Sequence, residues 1–202
     1  MKPLLTIGMA TFRDHDLMTA TLVQLQADRV ALGLVDQVEL LVVDNEPNGP
    51  DGQDNSNIVA RFANALYIPA GDIVGTSAPR NRIFTEARGQ WVMVIDSHVF
   101  MMRGVMERLV EFCHAQPDGR DLHHGPLYSE NLQSVVWTHW AEVWGEDGMF
   151  GKMRSLPASM LLPESPPVEI AGAGCGLFLC RKEAWLPFHD QQRHFGGEEL
   201  TA

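Results

Sequence analysis

The sequence predicts an α/β fold built on a doubly wound, mostly parallel sheet, and three observations carry this. Short apolar runs alternate with helical segments through residue 115, the pattern of successive βαβ units. One run, Trp91-Val92-Met93-Val94-Ile95, is continuously apolar and stops at Asp96, as a central strand covered on both faces does. The chain has 202 residues, 45% of them hydrophobic, which suits one domain able to bury a core without disulfide staples.

The elements follow in order. Residues 4–10 read as a buried strand. Asp14 or Asp16 caps the helix after it, with Leu17, Thr21, Leu22, Leu25 and Leu32 at roughly helical spacing and Gly33 as its stop. Residues 38–44 form a second strand, and 45–52 are loop because Pro and Gly break ladders while Asn and Asp make turns. A short helix over 56–64 leads to a third strand at 65–68. Ala78-Pro79-Arg80-Asn81 opens a helix that ends at Gly89, with Pro79 suited to a first turn. The fourth strand is 91–95, followed by an amphipathic helix over 105–114. Past residue 120 the pattern loosens: Trp137, Trp140 and Trp144 lie in a stretch with no clean period, and Gly- and Pro-rich sequence runs to Pro167. Residues 168–171 and 176–180 read as strands again.

Composition excludes several functions. With 15 Lys+Arg against 26 Asp+Glu the net charge is -11, which argues against a nucleic-acid or anionic-membrane binder. No run of about 18 apolar residues is present to span a membrane, and the apolar opening lacks a signal-peptide cleavage pattern. Cys113, Cys175 and Cys180 are sparse and odd in number, which fits a reducing, cytoplasmic location. The His and Cys spacings do not match zinc sites, and no Gly-x-Ser-x-Gly elbow marks a serine hydrolase.

In sheets of this kind ligands bind at the carboxyl ends of the strands, where Thr11, Asp44, Asn45, Asp96 and His98 are stationed. Asp96-Ser97-His98 offers a carboxylate and an imidazole two residues apart. That pair suits Mn²⁺ or another borderline divalent ion, which can neutralise a diphosphate leaving group; Asp96 is equally suited to capping a turn. Gly196-Gly197-Glu198-Glu199 sets two carboxylates beside flexible backbone, one able to bind a hydroxyl and the other to take its proton; a solvated acidic tail is the alternative. Gly172-Ala173-Gly174-Cys175-Gly176 fits neither dinucleotide nor P-loop spacing. It allows a strand to pass close beneath a substrate, or a tight bulge.

Taken in order, Thr11, Val42-Val43-Asp44-Asn45, Ala78-Pro79-Arg80-Asn81, Trp91 to His98, Gly174-Cys175-Gly176-Leu177-Phe178 and Phe195-Gly196-Gly197-Glu198-Glu199 resemble the GT-A glycosyltransferases of family 2 type. The Asp-Ser-His form is similar to that of polypeptide N-acetylgalactosaminyltransferases, and Gly-Gly-Glu-acidic to that of β-1,4-galactosyltransferases. The resemblance implies a GT-A domain over 1–202, with a nucleotide-sugar-binding half at 1–118 and an acceptor-side half at 119–202. It implies transfer of a hexosyl or N-acetylhexosaminyl group from a nucleotide-sugar, most often a UDP-sugar, to a saccharide or other hydroxyl acceptor.

Donor contacts would come from Thr11 near the nucleoside, Asp44 and Arg80 near the base, and Asn45, Asn81 and Asp96. Asp96 and His98 would hold Mn²⁺ or Mg²⁺. Glu198 would contact the acceptor and Glu199 would stand where inverting members keep their general base. In a retaining member neither Glu need act as base, and the Asp-Ser-His form leans one way while Glu-Glu leans the other. Members of the family continue through a helix and a later His, whereas here the chain ends at Leu200-Thr201-Ala202. A base so near a terminus, and an ion without a third protein ligand, are therefore expected. A truncated or non-catalytic nucleotide-sugar-binding module of the same fold is the alternative. A nucleotidyltransferase is a third reading, and it lacks its glycine-rich basic loop after the first strand.

Overall fold

The structure, a computed structural model, describes residues 2–128, 135–137, 139–145, 148–160 and 165–189. Four parallel strands form the centre: β1 (Leu5–Thr11), β2 (Val38–Asp44), β3 (Ala65–Pro69) and β4 (Trp91–Asp96). Helices α1 (His15–Ala31), α2 (Gly52–Val59) and α3 (Ser77–Glu86) make the crossovers, and α4 (Val105–Ala115) follows β4. Beyond it lie β5 (Leu127–Tyr128) paired with β6 (Val135–Trp137), and β7 (His139–Gly145) paired with β8 (Gly148–Arg154). Finally β9 (Leu177–Arg181) joins the main sheet antiparallel to β4, giving the order β3-β2-β1-β4-β9.

Strand alternation builds two cores. Trp91, Met93 and Ile95 face one side of β4 and pack with Met18, Leu22 and Leu25 of α1 and Met106 and Val110 of α4. Val92 and Val94 face the other side, against Ile83 and Phe84 of α3 and Phe178 of β9. Each fully buried side chain of this kind contributes roughly 1.5–3 kcal/mol. Gly8 lets α3 settle onto β1, because a Cβ there would lie 2.2 Å from Ile83 Cγ2.

Polar groups clamp the amino edge of the sheet. The fully buried Glu39 accepts from Thr6 Oγ1 at 2.6 Å, from the Arg88 amide at 2.8 Å and from Arg88 Nε. Arg29, also fully buried, donates to the carbonyls of Val38 at 2.8 Å, Asn64 at 3.0 Å and Ala63; burial lowers its pKa to about 10. These groups leave the opposite, carboxyl edge free for a ligand.

Several expectations shift. The buried face of α1 is Met18, Thr21, Leu22, Leu25 and Arg29, while Leu17 and Leu32 are exposed. The helix after β2 starts at Gly52, ahead of Ser56, because Gly52 seats against the Pro47 carbonyl. Residues 168–171 are not a strand: they follow Pro166-Pro167, and the outer side of β9 bonds His123 instead. Trp137, Trp140 and Trp144 fall in β6 and β7, where no period was legible.

Candidate functional site

Parallel register brings the strand ends together. Thr11 is opposite Asp44, and Ala10 is opposite Asp96. The amide of Asn45 donates to the Thr11 carbonyl at 3.0 Å, so the chain after β2 turns across the end of β1. Thr11, Asp44, Asn45, Arg80, Asp96 and His98 are all carried by these strand ends, the turns after them and the first turns of α3.

Asp44 is 1% exposed and its carboxylate is heavily engaged. Oδ1 accepts from the Glu46 amide, and Oδ2 accepts from Asn55 Nδ2 and from the Tyr67 hydroxyl, each at 2.8 Å. Burial, reinforced by Asp44, raises the Tyr67 phenol well above its usual value, so it stays a donor. Asn45 Nδ2 donates to the Gly75 carbonyl at 3.2 Å. Among the described residues, Thr11 Oγ1, Asn45 Oδ1 and Ser77 Oγ on this edge are buried with no hydrogen-bond partner. Orphaned buried polar atoms cost about 1–3 kcal/mol each and mark places that a ligand can satisfy.

Asp96 ends β4 with its side chain 38% exposed. Arg80, buried in the first turns of α3, donates to Asp96 Oδ1 at 3.2 Å and to the Thr76 carbonyl at 3.0 Å. Gly176, just before β9, receives the Asp96 amide on its carbonyl at 2.9 Å; a Cβ on Gly176 would lie 2.9 Å from Asp96 Oδ2. Thus the glycine segment ends in a close approach to this carboxylate, while Gly172–Cys175 line a separate cavity of about 740 Å³.

His98 is exposed, with Nδ1 3.5 Å from Asp14 Oδ2, and Ser97 Oγ donates to that same oxygen at 2.6 Å. Asp14 sits at the α1 N-cap yet makes no capping bond; its carboxylate serves the Asp-Ser-His turn instead. Asp96 and His98 supply oxygen and nitrogen donors that fit Mn²⁺ or Mg²⁺ only if other ligands complete the shell. Among the described residues no group of three or more His, Cys, Asp or Glu side chains stands ready to hold a metal.

Asn81 points elsewhere: its amide donates to the Phe188 carbonyl and accepts from the Phe188 amide, both at 2.9 Å. Glu198 and Glu199 lie outside the described residues, as do Gly196 and Gly197. Sequence reasoning missed Asn55 and Tyr67, whose only signal was a polar group on an otherwise core-facing position. It also missed Arg13, which grips Glu46 through Nε and Nη2 at 2.6 Å each and holds that carboxyl below its ordinary value.

This geometry, with polar groups at the carboxyl ends of a mostly parallel sheet and an aspartate closing β4, is that of the GT-A glycosyltransferases. The family described as glycosyl transferase family 2 matches residues 7–161, and the chain belongs to it. Among solved structures, TarS from S. aureus (residues 1–349) superposes with a TM-score of 0.62 at 15% identity, over 97% of this chain and 52% of that one. The mannosyltransferase PcManGT from Pyrobaculum calidifontis, solved in complex with GDP-Man and Mn²⁺, gives a TM-score of 0.51 at 15% identity, over 64% of this chain and 36% of that one. The chain thus spans about half the length of the first and about a third of the second. No curated protein matches the sequence. No helix among the described residues is long and apolar enough to cross a membrane.

Proposed function

We propose that this domain transfers a sugar from a nucleoside diphosphate sugar, preferentially a UDP-sugar, to an acceptor hydroxyl with the help of a divalent metal. The observation that carries the reading is Asp96, a half-exposed carboxylate fixed at the end of β4 between Arg80 and Gly176 and followed by His98. Membership of the family supports it, and the Mn²⁺ in the mannosyltransferase complex supports the metal.

In this reading the base meets Asp44 and Arg80. The ribose hydroxyls satisfy Thr11 Oγ1 and Asn45 Oδ1, both buried without partners among the described residues. Asp96 and His98 hold Mn²⁺ or Mg²⁺, and the diphosphate oxygens and water complete the shell. The metal, when bound, supplies charge neutralisation to the leaving diphosphate. Arg80 aims the Asp96 carboxylate through its hydrogen bond to Oδ1. Asn81 acts at one remove, by fixing the backbone of Phe188 against α3. Glu198 orients the acceptor and Glu199 takes the proton of its hydroxyl. The likeness of the motifs to polypeptide N-acetylgalactosaminyltransferases and β-1,4-galactosyltransferases favours a hexosyl or N-acetylhexosaminyl group, and the sparse cysteines favour the cytoplasm.

The test is release of nucleoside diphosphate from a panel of UDP-, GDP- and dTDP-sugars with Mn²⁺, for the wild type and Glu199→Gln. Release of UDP that falls at least about a hundredfold in the variant is expected for loss of a general base. Nucleotide-sugar binding with no release in the wild type, across a panel of acceptors, would leave a binding module in place of an enzyme.

A further inference from the structure

We propose that Asn55 and Tyr67 are positioning residues that set which nucleobase the site accepts. They do so by occupying Oδ2 of Asp44 and leaving one acceptor position on Oδ1. The proposal rests on the nucleotide-binding reading given above.

An ionised carboxylate offers about four acceptor positions, two on each oxygen. Both positions on Asp44 Oδ2 are taken, by Asn55 Nδ2 and the Tyr67 hydroxyl at 2.8 Å. One position on Oδ1 is taken by the Glu46 amide at 2.8 Å. One remains.

The directions of these bonds are fixed by the surroundings. Asn55 is itself 1% exposed, and its Oδ1 meets His15 Nδ1 at 2.7 Å. With Nδ2 donating to Asp44, Asn55 Oδ1 must accept, so His15 carries its proton on Nδ1. Flipping the amide would set its oxygen against the Asp44 carboxylate and lose that bond. Tyr67 has one proton to give; its contact with Asp44 at 2.8 Å is shorter than that with the Gly52 carbonyl at 3.3 Å. The raised phenol pKa keeps that proton in place. His15, Asn55 and Tyr67 sit on α1, α2 and β3, so three separate elements hold one carboxylate in one orientation.

A base with a single imide N–H between two carbonyls, as in uracil, matches one free acceptor on Asp44. Guanine presents N1–H and N2–H side by side and needs both carboxylate oxygens. With Oδ2 filled, one of its N–H groups would be buried without a partner, which is how polar sites reject a near-miss ligand.

The experiment is isothermal titration of UDP and of GDP, each with Mn²⁺, into wild type, Tyr67→Phe and Asn55→Leu, with thermal melts to establish folding. Tyr67→Phe keeps the ring and removes only the hydroxyl, so it decides the matter if Asn55→Leu does not fold. Wild type is expected to favour UDP, and the UDP-to-GDP affinity ratio is expected to fall about tenfold or more in each folded variant. A merely structural role would weaken both nucleotides alike and leave the ratio unchanged; that outcome overturns the proposal while the nucleotide-binding reading stands. Wild type that prefers GDP also overturns it. Binding of neither nucleotide overturns both.

Discussion

Arg80 and Asp96 face each other at 3.2 Å where the first turns of α3 meet the end of β4, the guanidinium buried and the carboxylate side chain 38% exposed. The pair ties a crossover helix to a central strand and aims one carboxylate outward. Because the arginine forks between Asp96 and the Thr76 carbonyl, a point-charge lysine cannot replace it. Arg80→Lys is expected to weaken Mn²⁺-dependent UDP binding about tenfold. It should lower unfolding free energy by only about 1–2 kcal/mol, since Asp96 can turn to water. Titration calorimetry and urea denaturation read the two effects separately.

Gly176→Ala tests the other wall of the same carboxylate. The new Cβ would lie 2.9 Å from Asp96 Oδ2, so the carboxylate must turn aside. Binding of UDP with Mn²⁺ should weaken several-fold while binding without Mn²⁺ changes little, a split that a general loss of fold would not give. Calorimetry with and without the ion measures it.

The packing of α3 on β1 is a steric fit between Gly8 and Ile83. Gly8→Ala sets a Cβ 2.2 Å from Ile83 Cγ2, and overpacking of this kind costs about 1–3 kcal/mol or more. The double variant Gly8→Ala with Ile83→Ala should recover part of that loss relative to the sum of the singles, a coupling that denaturation of the four proteins in a mutant cycle measures.

Stability should decline as pH falls through about 6.5. Burial lowers the pKa of both His123 and His124, so the unfolded chain binds protons that the folded one refuses. For a lowered histidine the unfolded state gains protons as pH falls below the ordinary value, so stability is full above it and lost beneath it. His123 packs edge-on against Phe112 at 4.8 Å, and its backbone bonds to Leu179 survive any side chain. His123→Phe should therefore fold and show a shallower decline in unfolding free energy between pH 7 and pH 5.

The four parallel strands were legible because each is a short apolar run, and three of them are closed by a polar residue, Thr11, Asp44 or Asp96. What tertiary contact decides was not legible. Leu17 and Met18 are both apolar, and only the seating of α1 on the sheet buries Met18 and exposes Leu17. Asp14 reads locally as a helix cap, yet Ser97 and His98 claim its carboxylate from far along the chain. Asn55 and Tyr67 carry no motif; the fold alone makes them neighbours of Asp44. By contrast, Asp96 announced itself by ending the longest unbroken apolar run in the chain, and the candidate site is built around it.

In the proposed reaction Asp96 and His98 couple a divalent ion to the diphosphate of a nucleotide-sugar. Calorimetric titration of UDP-N-acetylglucosamine and UDP-glucose into wild type and Asp96→Ala, with and without Mn²⁺, tests it most directly. Binding to wild type that strengthens about tenfold or more with Mn²⁺, and loses that increment in Asp96→Ala, is the predicted result. Equal affinity with and without the ion, or an increment that survives the substitution, would contradict it.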